Sequence, residues 1–355
     1  MSTMRRTLLR MPLAACAVAA SGSPPRKVIS ENDPANVKLA HRVRSGISDE
    51  DLLFLKQVGL KWARAEFDPA APIEEIRRTK ERFARYGIGL ASCAHYAQRS
   101  LNIELGRPGR DVDIEHCQAI VRELGRNGVP ILAYDWHPAN TYTTAMVEHR
   151  GYRVRQFSVD DFRRKVEKRA FDRVYSEAEM EANHNYFVKA LLPVAEQAGV
   201  RLALHPDDPP VLEMMNGVGR VFRNYEGYRR ADKLFGRSPS WGIRLCVGTW
   251  AEGGSQMGKN VFEMIQDFGG RGKIYDLDFR NVSSPLPVFN ETFPDDGALD
   301  MYAVMKTLRQ VGYNGPLVAD HIPDLIGDSG IRRAGTAYSI AYIRSLIRRA
   351  NEEVG

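Results

Sequence analysis

The sequence predicts an α/β fold, a closed barrel of eight parallel strands ringed by helices and built as a single domain. Two observations predict it. From residue 37 onward, eight short apolar runs alternate with amphipathic segments, and no strand hairpin interrupts the alternation. The runs are rich in buried-type residues rather than alternating apolar with polar, as expected of strands covered on both faces. An open doubly wound sheet shares the alternation, but its nucleotide fingerprint is missing: no Gly-x-Gly-x-x-Gly follows the first run.

The first strand is expected over 37–43. Ser48-Asp49-Glu50-Asp51 then opens a helix, because a serine oxygen followed by acidic residues satisfies and polarises a helix N-terminus. Leu52, Leu55 and Val58 lie on one face of that helix and Gly59 stops it. Further strands are expected over 62–67, 88–96, 131–138, 201–205, 243–249, 273–280 and 316–321, each followed by a helical pattern. The last helix, 331–349, aligns Ile340, Ile343 and Ile347 at helical spacing. One connection is long. Residues 139–168 are polar and basic, with Tyr142, His149, Arg150, Tyr152, Arg153 and Arg155, and read as a long loop serving as a lid or as a contact between copies in a homo-oligomer.

Residues 1–20 read as a signal peptide of twin-arginine type and 21–36 as a linker, leaving 37–355 as the catalytic domain. Arg5, Arg6 and Arg10 precede a short apolar run with small residues at its end, too short to span a bilayer. The protein is therefore expected to be exported, periplasmic or secreted. Leu13-Ala14-Ala15-Cys16 also fits a lipid-anchoring signal at Cys16. The full chain of 355 residues carries 50 basic and 44 acidic residues, a net charge of +6. Loss of the three leader arginines leaves 47 against 44, or +3. That is too weak and dispersed for nucleic acid, and no run is long enough for a membrane span. Beyond Cys16 only Cys93, Cys117 and Cys246 remain, too few for a disulfide framework. Cys93 and Cys117 read as small core residues.

Barrel chemistry gathers at the C-terminal ends of the strands. The fifth run ends in His205-Pro206-Asp207-Asp208, the sixth carries Cys246, the seventh carries Asp278 and the eighth Asp320-His321. Residues 205, 246, 278 and 320 are 41, 32 and 42 apart, about one βα unit each, so all four can face one mouth. An imidazole, a thiolate and two carboxylates suit a borderline divalent metal: the carboxylates favour Mn2+ or Mg2+, the softer donors Zn2+, Fe2+ or Mn2+.

These segments resemble the mannonate dehydratase family of bacterial hexuronate catabolism. The stretch 186–210, ending in Leu204-His205-Pro206-Asp207-Asp208-Pro209-Pro210, is similar to that family nearly residue for residue. Phe279-Arg280-Asn281-Val282, Leu299-Asp300-Met301-Tyr302 and Asp320-His321 match further family motifs, and Tyr134-Asp135-Trp136-His137-Pro138 matches more loosely. The resemblance implies a TIM barrel with a divalent ion, usually manganese. It places metal ligands at His205, Cys246 and Asp320, an acid/base histidine at His321, and Arg280 and Asn281 in the sugar-acid pocket. Two departures stand out: Asp278 replaces a family histidine, and Val318-Ala319-Asp320-His321-Ile322 replaces Arg-Pro-Asp-His-Gly.

The activity so implied is dehydration of a small sugar acid, D-mannonate to 2-keto-3-deoxy-D-gluconate. The C2 proton is removed to an enediolate, whose charge a metal stabilises, and the C3 hydroxyl leaves. His321 is the expected acid/base and Arg280 the expected partner of the substrate carboxylate. Asp207 and Asp208 are expected to orient sugar hydroxyls or to hold the His205 ring. The same barrel and metal also suit a xylose-isomerase-like isomerase or epimerase, or an exported sugar-acid-binding barrel without catalysis.

Overall fold

Eight parallel strands close into a barrel in the computed structural model, which describes residues 29–31, 33–138 and 142–354. The expected leader, 1–20, and residues 21–28 of the expected linker lie outside the described residues. In chain order the strands are β1 (Lys38–Arg44), β2 (Trp62–Phe67), β3 (Gly89–His95), β4 (Ile131–Tyr134), β5 (Ala145–His149), β6 (Tyr152–Ser158), β7 (Arg201–Leu204), β8 (Trp241–Cys246), β9 (Ile274–Phe279), β10 (Asn281–Val282), β11 (Val288–Thr292) and β12 (Pro316–Ala319). The barrel runs β1-β12-β9-β8-β7-β4-β3-β2. The expected barrel thus forms, each of its strands within a few residues of the run that predicts it.

The first helix, Asp49–Gln57, begins where the sequence places it: the Ser48 side chain accepts from the Asp51 N–H, and Gly59 beyond the end has φ 75°. Three expected strands run too far. β4 ends at Tyr134 rather than 138. β12 ends at Ala319, because His321 takes φ 44°, a left-handed backbone no strand continues through. β8 ends at Cys246, whose Sγ accepts from the Thr249 N–H and caps the helix Val247–Gly253. Gly248 in that helix lies against the Arg280 side chain, where a β-carbon would come within 2.5 Å.

The largest difference lies in 139–168, expected to be a loop. Residues 139–141 lie outside the described residues, but β5 and β6 form an antiparallel hairpin, followed by the helix Val159–Lys165. The turn is Arg150-Gly151, both at positive φ (50° and 82°), the two-residue geometry that matches strand twist. The hairpin joins β11 and β10 in a second sheet, ordered β10-β11-β6-β5. Phe157, Phe162, Phe289, Val211, Met215 and Val282 form its own apolar cluster, which ties the sheet to the loops after β7 and β9. Cys93 and Cys117 are buried in the main core as expected, and Cys246 is also free. Among the described residues no helix is long and apolar enough to cross a membrane.

Several histidines are buried neutral, His184 and His95 among them. His184 packs among Tyr134, Trp136 and Phe222, and burial pushes its pKa down to about 3. Burial likewise takes His95 down to about 4. In the unfolded chain such groups titrate near 6.5, so below that pH the unfolded state binds protons that the folded state refuses. Their contribution is therefore intact above pH 6.5 and is lost as the pH falls toward 4 and 3. Urea unfolding between pH 6.5 and about 4.5, above the carboxylate range, should show stability falling with acid. His184→Gln should reduce that slope by about 1.4 kcal/mol per pH unit; an unaltered slope would contradict a neutral His184.

Candidate metal centre

β9 sets the centre. Its alternate residues Asp276 and Asp278 both lie fully buried at the barrel interior, paired in register with Arg244 and Cys246 of β8. β7 ends one residue before His205. In consequence His205, Cys246 and Asp278 bring their ligand atoms within 4.8 Å of one another. The His205 Nδ1 donates to the Pro206 carbonyl at 2.7 Å, which orients the ring so that Nε2 faces Asp278 Oδ2 at 3.4 Å. Burial pushes the Cys246 thiol up to about 12, despite Arg280 nearby. An imidazole nitrogen, a carboxylate oxygen and a sulfur therefore face one another. That donor set fits a divalent cation, which would satisfy all three at once.

Both oxygens of Asp278 are also held by arginine. Arg64 of β2 donates to Oδ1 and Arg244 of β8 to Oδ2, each at 2.6 Å. Burial alone would raise the Asp278 carboxyl, but Arg244, Arg64 and then His205 outweigh it and hold it well below the usual range. Arg64 also lies 3.4 Å from Asp276, so the upper barrel interior holds a ladder of two acids and two bases, all buried. Each carboxylate oxygen retains a second lone pair, so the guanidiniums do not preclude ligation by Asp278.

Asp320 is near this group but not within it. It pairs with Arg42 at 3.0 Å and lies 3.5 Å from Arg280 Nε and 3.6 Å from His321 Nε2. Burial would raise its carboxyl, but His321, Arg42 and Arg280 keep it below the ordinary value. His321 donates from Nδ1 to Glu291 of β11 at 2.7 Å, so the second sheet grips the ring at the barrel mouth. His321 forms part of the wall of a cavity of about 690 Å3 that opens over the ends of β1, β2 and β12, with His41, Arg42 and Glu66 along its floor.

Three of the residues expected at the substrate sit differently. Arg280 is fully buried and its terminal nitrogens are engaged, with Glu252 at 2.5 Å and with Asp208 and Thr249 at 3.0 Å. Through these contacts it braces the loops around the centre, with its Nε 3.5 Å from Asp320. Asn281 is consumed by backbone: its amide donates to the carbonyls of Pro294 and Leu299 and its oxygen accepts from the N–H groups of Val282 and Leu299. Asp207 accepts from the Phe222 N–H at 2.8 Å. The His205 ring is thus oriented by Pro206, not by Asp207 or Asp208.

The sequence reading missed Arg64, Arg244, Glu66 and Glu291. It also missed a role for His137 in the loosely matching motif; that ring lies edge-on to His205 at 6.4 Å, next to Asp135. Arg64 and Arg244 carried a signal: charged residues in the middle of otherwise apolar strands need partners inside.

A closed α/β barrel whose strand ends gather imidazole, thiol and carboxylate donors has the donor set that a metal-dependent barrel enzyme uses. The comparisons narrow the class. Residues 154–354 match the family model described as D-mannonate dehydratase (UxuA). The chain is 29% identical over 319 residues to mannonate dehydratase 2 of Halalkalibacterium halodurans, covering 80% of this chain and 90% of that one. It is 30% identical to the mannonate dehydratase of Streptococcus suis, covering 73% and 76%. The crystal structure of the Streptococcus suis serotype 2 mannonate dehydratase superposes with a TM-score of 0.76 at 26% identity, over 89% of this chain and 93% of that one. A xylose isomerase domain protein from Planctomyces limnophilus shares the fold alone, at 11% identity, a TM-score of 0.57 and 89% and 98% coverage. The chain belongs to the mannonate dehydratase family and is a hydro-lyase of that type.

Removing one member of the ladder strands the others. Arg64→Ala leaves Asp276 without its ion-pair partner and Asp278 with Arg244 alone, and should destabilise the fold by about 3–5 kcal/mol in denaturant unfolding. A loss below about 1 kcal/mol, the range of an exposed pair, would show the ladder to be dispensable.

Proposed function

We propose that the chain dehydrates D-mannonate to 2-keto-3-deoxy-D-gluconate, with His205, Cys246 and Asp278 holding a manganese ion and Asp320 completing the set. The observation that carries this reading is the placement of His321, on a cavity wall, 3.6 Å from Asp320 and pinned by Glu291. The mixed carboxylate and imidazole donors favour manganese. The ion, when bound, supplies a Lewis acid for the oxygen charge that develops as the C2 proton leaves.

The protein side of the chemistry rests on His321. With Nδ1–H donated to Glu291, the free position is Nε2, which takes the proton from C2. Glu291 then faces the imidazolium and stabilises it. The same Nε2–H delivers its proton to the departing C3 hydroxyl, so water leaves and the enol product tautomerises to the 2-keto acid. The left-handed backbone at His321, unusual for a residue other than glycine, is strain of the kind that folds keep where a side chain must be aimed.

Metal-loaded protein incubated with a panel of aldonic and uronic acids should release a 2-keto-3-deoxy acid, one water lighter, most readily from D-mannonate. His321→Ala should lower kcat by about 100- to 10,000-fold; undiminished turnover would exclude the role. A product of unchanged mass would point instead to isomerisation. For the centre itself, substituting cobalt(II) should give a thiolate charge-transfer band that Cys246→Ser abolishes. A band that survives in the serine variant would remove Cys246 from the ligands.

A further inference from the structure

The large cavity beside His321 contains four guanidinium groups, and two of them are firmly committed. Arg42 pairs with Glu66 at 3.1 Å and with Asp320 at 3.0 Å. Arg44 lies 3.9 Å from Asp68, with both side chains largely exposed. Arg332 pairs with Asp324 and donates to the Ile322 carbonyl at 2.6 Å. The fourth, Arg155, is half-buried on β6, and among the described residues its side chain has neither an ion-pair partner nor a hydrogen-bond acceptor. It lines the smaller adjoining cavity as well, together with His321 and Glu291.

A guanidinium partly withdrawn from water and left without an anion is costly unless an anion arrives. Arg280, the residue the sequence suggested for the substrate carboxylate, is fully buried and already shares its terminal nitrogens with Glu252, Asp208 and Thr249, whereas Arg155 has no protein acceptor among the described residues. We propose that Arg155 is the group that receives the carboxylate of the sugar-acid substrate. This rests on the reading of the chain as a sugar-acid dehydratase. It makes the second sheet a carrier of specificity as well as a cover: β6 supplies the anion receptor, while its neighbour β11 supplies the carboxylate that orients His321. A planar fork of donors suits a carboxylate in a way a lysine ammonium does not.

The test compares the metal-loaded wild type with Arg155→Ala and Arg155→Lys. Binding of D-mannonate and of its neutral counterpart D-mannitol is measured by calorimetry, alongside kcat, KM, metal content and melting temperature. In Arg155→Ala the Kd and KM for the acid should rise about 10- to 100-fold. D-mannitol binding, metal content and melting should be unchanged, and the lysine variant should recover part of the loss. Equal acid binding in wild type and Arg155→Ala overturns the assignment, as does an equal loss for acid and alditol. If the wild type binds the acid through Arg155 but never turns it over, the dehydratase reading fails and the carboxylate receptor stands. If the wild type turns it over and Arg155→Ala is unaffected, only the receptor fails. If the wild type does not bind the acid at all, both fail.

Discussion

Asp278 accepts from Arg64 across the barrel and from Arg244 on the neighbouring strand, and the mouth of the barrel is arranged around those two contacts. A carboxylate in a dry barrel interior survives as a charge only if counter-charges are built in with it. Here they come from β2 and β8, so the strands that flank the centre are tied to β9 by ion pairs as well as by the closed sheet. The same contacts fix where the Asp278 oxygens point. His205 and Cys246 reach that point from the ends of β7 and β8, and the three ligand atoms converge because strand register places Cys246 opposite Asp278.

A second constraint comes from above. The sheet β10-β11-β6-β5 is not part of the barrel, yet it reaches the site twice, through Glu291 to His321 and through Arg155 into the cavity. Its own apolar cluster and the backbone pairing of Arg153 with Asp324 hold it in place. The division of labour follows from geometry. Barrel strands supply rigid, buried donors at one level. The added sheet supplies Glu291, which holds His321, and Arg155, which lines the cavity from the open side.

The sequence made the barrel legible because buried parallel strands are read from apolar runs alone, and the donors legible because strand ends are where barrel chemistry sits. It failed where local pattern and tertiary context disagree. Val247-Gly248-Thr249 looks like strand, but Cys246 caps a helix there and Gly248 packs on Arg280. The hairpin was hidden because its turn is Arg150-Gly151 rather than the Asn-Gly that announces such a turn. The alternation of Tyr152, Val154 and Gln156 with Arg153, Arg155 and Phe157 was visible, but the weight of basic residues read as loop. Arg280 and Asn281 were legible as important and not legible as to why. Only the structure shows that one is ion-paired inward and the other spent on loop carbonyls.

The aspartate at position 278, where the family resemblance implies a histidine, bears on the metal in a way the sequence could not weigh. Considered alone, the substitution adds a negative charge to the donor set, which would dull a bound cation as a Lewis acid. Arg64 and Arg244 change that balance. Two guanidiniums draw density from both oxygens of Asp278, and with Asp276 the four buried side chains sum to no net charge. A cation at His205, Cys246 and Asp278 would therefore meet a carboxylate whose charge is largely spoken for, closer in effect to the neutral imidazole it replaces. On this argument the aspartate and its two arginines are one device, and the departure at position 278 is compatible with the family's chemistry because the barrel supplies its compensation.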